Sequence, residues 1–249
     1  MNKEKVLVFS IALEGYSHLF KNCISSQRKY CKKFNLDYVV VNKSPRKLLP
    51  MEAAWLKLFL LRSALLTNKY NWIAFIDADC EIRGFSPLFI NDLKKYDDIK
   101  SVFMAHGFSG RINSGVILVK NTPEALLYLN NVINHGDSPV PKDDEALYEN
   151  GHMIHFGKTN PTVQILESVK WNNNQTIDEK SFIQHYSGGI LREQYLKKHP
   201  FRKSLYKIKK RLKRYYYKFS SRTTKTSMQE INSLIPFYNR IYTEFNKKN

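Results

Sequence analysis

Two carboxylates stand one residue apart at the end of an apolar run. Asp77 and Asp79 flank Ala78 and follow Trp72-Ile73-Ala74-Phe75-Ile76, a run typical of a buried strand. Because the chain turns where a strand ends, both carboxylates can face one hard cation that is held on phosphate oxygens. Mg²⁺ or Mn²⁺ on a diphosphate needs one or two carboxylates and little more protein. The run therefore predicts chemistry on a nucleotide diphosphate.

Two other interpretations of this pair are weaker. The acids could simply be solvated side chains at a strand end. A phosphatase of the haloacid dehalogenase type also places two aspartates after a strand, but usually near the N-terminus and with Thr or Val two residues on, where this chain has Glu81.

A second polar segment leads into another apolar run. Asn113, Ser114 and Gly115 precede Val116-Ile117-Leu118-Val119. Gly115 would allow a close backbone approach, and the amide of Asn113 both donates and accepts hydrogen bonds. The segment could therefore contact a sugar, although an ordinary turn before a strand has the same composition.

The first half of the chain alternates strands and helices, which would position these residues. Strands are predicted at 6–11, 38–41 and 72–76, with helices at 16–34 and 52–66 between them. Helices of this length between strands indicate right-handed crossovers and a mainly parallel sheet. Ligands of such α/β folds bind outside the carboxyl ends of the strands, which is where Asp77 and Asp79 lie.

The second half is less regular. Thr122-Pro123-Glu124 predicts a capped helix start with proline at its first position. The other predicted elements are strands at 101–104, 115–119 and 162–166, a loop at 105–114, a short helix from Asp143 whose first turn carries Asp144 and Glu145, and an amphipathic helix at 228–245.

Four segments in this order resemble glycosyltransferases of the GT-A type, over residues 5–190. The resemblance is greatest to the retaining groups typified by glycogenin-like, lipopolysaccharide galactosyl and yeast mannan galactosyl or mannosyl transferases. The segments are Asn22–Tyr38, Trp55–Arg62 leading to Asp77-Ala78-Asp79, Asn113-Ser114-Gly115-Val116, and His185-Tyr186-Ser187-Gly188-Gly189.

The resemblance implies a set of site residues. Asp79 and His185 would bind the cation directly, and Asp77 would bridge the cation and the nucleotide ribose. Carboxylates with one imidazole suit Mn²⁺ or Mg²⁺, which would act as a Lewis acid on the leaving diphosphate. The implied donor-binding residues are Ser10, Ala12, Tyr16, Lys57, Asp77, Asn113, Ser114, Gly115 and Gly188.

The chain departs from the family pattern at two places. Where the retaining families have Asp-Gln beside the anomeric carbon, this chain has Asp143, Asp144 and Glu145. A carboxylate there could stabilise an oxocarbenium ion, act as a nucleophile or serve as a general base. These three residues are the predicted catalytic acids, and they leave open whether the implied retaining reaction applies. The family's lysine after the histidine motif is also missing, and Arg192 lies nearest.

The positive charge of the chain is concentrated in one segment. The net charge is +18, and residues 192–225 hold fourteen Lys and Arg with one acid, Glu193. Their aromatic neighbours predict a helix that anchors the protein on an anionic membrane surface. A solvated helix and a nucleic-acid contact are the weaker alternatives. The chain thus divides into a GT-A domain at 1–190 and a basic, helical segment at 191–249.

No apolar stretch approaches the roughly 20 residues of a membrane span, and three cysteines without metal spacing suit a reducing compartment. We therefore expect a cytoplasmic enzyme, peripheral on the membrane. It would move a hexose, with UDP-galactose or UDP-glucose as the first candidate donor, to a glycan or glycolipid acceptor. The alternative is a nucleic-acid or anionic-surface binding protein on a degenerate GT-A fold.

Overall fold

The computed structural model describes residues 4–201, 204, 206, 208 and 227–247. The strands are β1 (Val6–Ile11), β2 (Asp37–Val41), β3 (Trp72–Ile76), β4 (Cys80–Ile82), β5 (Val102–His106), β6 (Ile112–Lys120), β7 (Val163–Leu166) and β8 (Ile183–His185). The helices are α1 (Tyr16–Leu19), α2 (Lys21–Phe34), α3 (Pro50–Leu66), α4 (Phe89–Leu93), α5 (Pro123–Asn134), α6 (Asn150–Gly157), α7 (Ser168–Trp171), α8 (Gly189–Lys197), α9 (Met228–Asn232) and α10 (Ile235–Ile241), with 3₁₀ turns at Lys142–Asp144 and Thr243–Phe245.

Six strands form a mixed central sheet in the order β2-β1-β3-β6-β5-β7. The β1–β2, β1–β3 and β5–β7 pairs are parallel, and β6 runs antiparallel to both β3 and β5. Along β1 and β3, successive apolar side chains point to opposite sides of the sheet. They pack into two separate clusters, one on each side. Both faces are therefore covered, as in other α/β proteins, and the predicted fold class is correct.

Several predicted elements have the expected start. Thr122 caps α5 by accepting a hydrogen bond from the backbone N–H of Ala125, and Pro123 occupies the first turn, where it has no helical partner to lose. At the start of α3, the carboxylate of Glu52 accepts from the backbone N–H of Leu49 at 2.6 Å. Such contacts satisfy the free N–H groups of a first turn, which explains why these helices begin where they do.

Three predicted boundaries are wrong. β6 begins at Ile112 rather than at Gly115, so Asn113 and Ser114 belong to the strand. The predicted helix from Asp143 is only a 3₁₀ turn, because Glu145 is extended and Tyr148 has a φ of 58°. The predicted helix at 228–245 is divided in two, with Pro236 in the first turn of α10, since proline cannot continue a preceding helix.

Segments beyond residue 190 pack on the body of the protein. Leu191, Tyr195 and Leu196 of α8 join a cluster with Phe20 and Tyr186. The helices α9 and α10 extend the core beside α3, where Tyr238 and Phe245 are fully buried. Contacts thus cross residue 190, where the sequence predicts a division into two domains. That division stays a prediction. Most of the segment expected to bind a membrane, residues 192–225, lies outside the described residues.

Within the described part of the chain, each helix falls short of the length and apolar character that crossing a bilayer demands. The three cysteines, Cys23, Cys31 and Cys80, are buried free thiols.

Candidate active site

A cleft of about 730 Å³ opens at the carboxyl ends of β1 and β3. This volume lies within the usual range of small-molecule sites. Its walls come from the loop after β1, the side of α3, the turn after β3, the start of β6, the segment before α6 and the end of β8. The sheet edge predicted to hold a ligand is therefore concave and large enough for one.

The turn after β3 and the end of β8 bring a carboxylate pair to a histidine. β4 follows Asp79 directly and pairs antiparallel with β8, so that Cys80 stands opposite His185. The Nε2 atom of His185 lies 3.3 Å from Oδ1 of Asp79 and 3.7 Å from Oδ2 of Asp77. The three residues predicted to bind a cation therefore meet in the cleft.

The imidazole of His185 is held from its other side. Its Nδ1 lies 2.8 Å from Oδ1 of Asn172, while its ring lies against Gly115, where a Cβ would stand 2.7 Å from Nδ1. The Nε2 atom is buried and has no hydrogen-bond partner among the described residues. An unused imidazole nitrogen beside two carboxylates is a donor set that suits Mn²⁺ or Mg²⁺, so these residues fit such a cation.

Ligand atoms of Asp79, Cys80 and His185 lie within 4.8 Å of one another. Cys80 is not among the residues that line the cleft. Mg²⁺ and Mn²⁺ also prefer carboxylate and other oxygen ligands to a soft thiolate. Asp77, Asp79 and His185 are therefore the better candidate set.

The two carboxylates differ in their surroundings. Burial raises the pKa of Asp77 to about 6, although Lys57 opposes this change. Burial also acts to raise the pKa of Asp79, but His185 and Arg192 outweigh it, so that this pKa falls to about 2. Asp79 is thus the carboxylate that stays ionised across the neutral and mildly acidic range.

Arg192, on α8, supplies a fixed positive charge at this site. Its Nη2 donates to Oδ2 of Asp79 at 2.5 Å and to the backbone oxygen of Ser187 at 2.9 Å, and its Nε donates to the backbone oxygen of Tyr186 at 3.1 Å. The guanidinium stacks over Phe20. Arg192 lines the cleft, so a fixed cation stands beside the candidate metal ligand Asp79.

Lys57 is engaged in a buried ion pair. Its Nζ lies 2.5 Å from Oε1 of Glu149 and donates to both the hydroxyl and the backbone oxygen of Ser114 at 3.1 Å. The Ser114 hydroxyl also donates to Glu149 at 2.6 Å. Burial acts to lower the pKa of Lys57, but Glu149 and Asp77 raise it above its ordinary value. Lys57 and Ser114 therefore lie at the cleft wall, as expected, but bind each other and Glu149.

Sequence reasoning missed Glu149. Its carboxylate lines the cleft, and Oε2 is buried without a hydrogen-bond partner among the described residues. The residue lies directly before α6, whereas the predicted helix began six residues earlier, at Asp143. A correct start for α6 would have identified Glu149 as a residue of the helix terminus that faces the sheet edge.

The three predicted catalytic acids do not line the cleft. Asp144 is buried, where it forms an ion pair with Lys158 at 2.7 Å and a hydrogen bond with Nδ1 of His155 at 2.7 Å. The side chains of Asp143 and Glu145 are exposed, and their backbone oxygens accept hydrogen bonds from Arg111. The placement of these acids thus gives no support to the role predicted for them.

Several predicted donor contacts also lie elsewhere. Ser10 is fully buried, and its hydroxyl lies within hydrogen-bond distance of the side-chain oxygen of Gln27 and the backbone oxygen of Ile76. Ala12 packs against Ile24 and Ala78. Their neighbours Ile11 and Leu13 line the cleft instead, since alternate side chains of an extended segment face opposite sides.

Among the remaining predicted donor-binding residues, Tyr16, Asn113 and Gly115 line the cleft. Gly188 does not line it, but its neighbour Ser187 does. The rim also carries apolar side chains that the sequence did not single out. Phe108 and Leu147 are both 78% exposed.

Comparisons with known proteins give a consistent picture of the fold. No protein-family model matches the chain, and no curated protein matches it. A solved glycosyltransferase involved in the glycosylation of the major capsid of PBCV-1 aligns with a TM-score of 0.60 at 13% identity, over 77% of this chain and 97% of that one.

The glycosyltransferase GlyE of Streptococcus pneumoniae TIGR4 aligns with a TM-score of 0.51 at 13% identity, over 79% of this chain and 60% of that one. This chain therefore spans less than two thirds of GlyE. At such identities the similarity shows a shared fold alone, and that fold is the GT-A class expected from the sequence.

Proposed function

We propose that this protein is a metal-dependent glycosyltransferase, which moves a hexose from a nucleotide-diphosphate sugar to a glycan or glycolipid acceptor. One observation carries the proposal. Two carboxylates and a buried imidazole nitrogen, which has no hydrogen-bond partner in the described part of the chain, converge at the carboxyl end of β3, inside a cleft of about 730 Å³. The fold that it shares with solved glycosyltransferases supports the same conclusion.

Asp77, Asp79 and His185 would hold Mn²⁺ or Mg²⁺. When bound, such a cation neutralises the diphosphate and acts as a Lewis acid on the leaving group. Asp79 is ionised at neutral pH and offers a carboxylate at once, whereas the raised pKa of Asp77 leaves a proton for the cation to displace at mildly acidic pH. UDP-galactose and UDP-glucose are the favoured donors.

Arg192 would bind the same diphosphate from the other side of Asp79. The Nε and Nη2 groups of Arg192 already donate to Tyr186, Ser187 and Asp79, so the Nη1 group would be the donor that meets a phosphate oxygen, in a charge-assisted hydrogen bond. Because its backbone contacts to Tyr186 and Ser187 hold the side chain at the cleft, little reorganisation is needed as negative charge develops on the leaving group. Such preorganised donors account for much of the rate enhancement in many enzymes.

Glu149 would contact the donor sugar. It is the carboxylate of the 143–149 segment that lines the cleft. Its Oε2, which has no hydrogen-bond partner among the residues the structure describes, can accept a hydrogen bond from a sugar hydroxyl or stabilise positive charge at the anomeric carbon. Asn113 also lines the cleft and offers its amide to the sugar. A retaining outcome, implied by the family resemblance, stays a prediction.

The test is turnover of the full chain with Mn²⁺ and either UDP-galactose or UDP-glucose, measured as released UDP. We expect Mn²⁺-dependent release that Asp79→Asn abolishes. Asp98→Asn is the matched control, because Asp98 is a fully exposed aspartate paired with Lys120, and it should retain turnover. Binding of DNA or anionic vesicles with no turnover on any donor would instead favour a binding protein on a degenerate fold. NMR of the product's anomeric centre reports retention or inversion.

A further inference from the structure

A chain of hydrogen bonds runs from the start of β6 to the candidate metal ligand. The backbone N–H of Gly115 donates to the side-chain oxygen of Asn113 at 3.0 Å. Because a backbone N–H can only donate, the Asn113 atom that it meets must be the amide oxygen. The side chain of Asn172 approaches that same oxygen at 2.9 Å and the backbone oxygen of Asn113 at 3.3 Å.

These contacts fix the orientation of Asn172. Two oxygens face one end of its amide, so that end must be the NH₂ group, which donates to both. The other end is then the amide oxygen, and it lies 2.8 Å from Nδ1 of His185. An amide oxygen can only accept. Nδ1 must therefore carry the proton of this hydrogen bond.

A neutral imidazole has one N–H, and a proton on Nδ1 leaves the lone pair on Nε2. Nε2 is the buried atom that lies near both Asp77 and Asp79 without a hydrogen-bond partner among the described residues. We propose that Asn172 is a positioning residue that selects the Nδ1–H tautomer of His185, so that the Nε2 lone pair faces the carboxylates before a cation binds. Its use in catalysis rests on the proposed function.

The backbone around Asn172 is anchored independently of its side chain. The N–H of Asn172 donates to Ser168 at 3.0 Å, and the N–H of His185 donates to the backbone oxygen of Asn173 at 2.8 Å. The segment therefore stays beside β8 when the side chain of Asn172 is shortened. Removal of that side chain takes away the acceptor for Nδ1 and leaves the ring free to carry its proton on either nitrogen.

Asn173 provides a matched control. It is as fully buried as Asn172, and its amide donates to Ser181 and accepts from the backbone N–H groups of Gln175 and Thr176. None of these described side-chain contacts involves the imidazole. Asn173→Ala and Asn172→Ala should therefore both reduce stability, but only Asn172→Ala should change the tautomer.

The experiment is ¹H–¹⁵N correlation NMR of the full chain, labelled with ¹⁵N-histidine, at mildly alkaline pH and without metal or donor. His185→Gln assigns the signal. We expect Nδ1–H in the wild type and in Asn173→Ala, and a population with Nε2–H in Asn172→Ala. Mn²⁺ titration should show an affinity about 10- to 100-fold weaker for Asn172→Ala, as is usual when a partner of a metal-ligating histidine is lost.

Three results would overturn the proposal. The first is a wild-type protein in which Nε2 of His185 carries the proton. This measurement does not depend on the folding of any variant. The second is an Asn172→Ala protein with unchanged tautomer and Mn²⁺ affinity. The third is an Asn173→Ala protein that changes in the same way as Asn172→Ala. No donor sugar is used, so a chain with the expected tautomer and Mn²⁺ affinity but no glycosyl transfer would refute the proposed function and leave this inference intact.

Discussion

The ring of His185 lies directly against the backbone of Gly115. A Cβ at position 115 would stand 2.7 Å from Nδ1 of the imidazole and 3.0 Å from the side-chain oxygen of Asn113. The glycine of the Asn-Ser-Gly segment is therefore required by the histidine. The sequence suggested that it allows close approach of a sugar, and its backbone does reach the cleft, but the contact with His185 is the tighter constraint.

Gly115→Ala should displace His185 from the carboxylates. Real Cβ atoms do not approach ring atoms this closely, and the buried ring can move only by giving up its contact with Asn172 or its position near Asp79. We expect Mn²⁺ affinity to fall at least about 10-fold, with a loss of about 1–3 kcal/mol in the free energy of unfolding from overpacking. Mn²⁺ titration and urea denaturation measure the two effects.

Gly84→Ala is the control for this substitution. A Cβ at Gly84 would meet no described residue within 4 Å, and the backbone there does not have a positive φ. Its stability and Mn²⁺ affinity should match the wild type within about 0.5 kcal/mol. If Gly115→Ala also matched the wild type in both measurements, the ring would not be confined by Gly115.

The strands and the carboxylate pair were predictable because their signals are local. The run from Trp72 to Asp79 contains a buried strand and its polar end within eight residues. The pairing of β4 with β8 was not predictable from pattern, since each strand has three residues and about a hundred residues separate them. His185 was identified only through the family resemblance, and nothing in the sequence pointed to Asn172.

The donor contact expected in β1, Ser10, is buried away from the cleft, which the sequence pattern could not show. All but the last residue of β1 are buried, because both faces of the sheet are covered, so no alternation of polar and apolar residues shows which side chains face the cleft. Ser10, which the family resemblance implies as a donor contact, forms internal hydrogen bonds instead. Glu149 was missed because the short helix was predicted to begin at Asp143, whereas α6 begins at Asn150, after the positive φ of Tyr148.

The Lys57–Glu149 ion pair should show strong coupling. Both side chains are buried, so that removing one partner leaves the other charge uncompensated, at a typical cost of about 3–5 kcal/mol. We expect Lys57→Met and Glu149→Gln each to lower the free energy of unfolding by about this amount. The double variant should lose clearly less than the sum. Additive losses in denaturant unfolding would show that the two charges are stabilised separately.

Asp144 should stabilise the protein in a pH-dependent way. Hydrogen bonds from Lys158 and His155 lower the pKa of Asp144 below its ordinary value. The stabilisation is therefore fully present above the unfolded pKa of about 3.9 and is lost as the pH falls through the lower folded pKa. Asp144→Asn should lose about 1.5–3 kcal/mol in the free energy of unfolding at pH 7, and the difference from the wild type should close in strong acid.

Asp143→Asn serves as the control, since Asp143 is the exposed neighbour in the same turn and should show little change at any pH. Urea denaturation at several pH values measures all three proteins. A constant gap between Asp144→Asn and the wild type down to the lowest pH would mean that the loss comes from packing and not from the carboxylate charge.

Arg192 should oppose cation binding while it assists turnover. Its guanidinium pairs with the same carboxylate that would bind the metal, and near a protein surface two unit charges about 4 Å apart interact by roughly 4 kcal/mol. We expect Arg192→Met to bind Mn²⁺ about tenfold more tightly, because part of this repulsion is removed. Its kcat on UDP-sugar should fall by about 10²-fold, as when one donor to a developing negative charge is lost.

Arg46→Met is the control, because Arg46 forms an Arg–carboxylate pair with Glu52 outside the cleft lining. The Mn²⁺ affinity of this variant should not change. Weaker Mn²⁺ binding in Arg192→Met would instead mean that Arg192 orders Asp79 as a ligand, in which case the carboxylate needs its arginine in order to bind the cation.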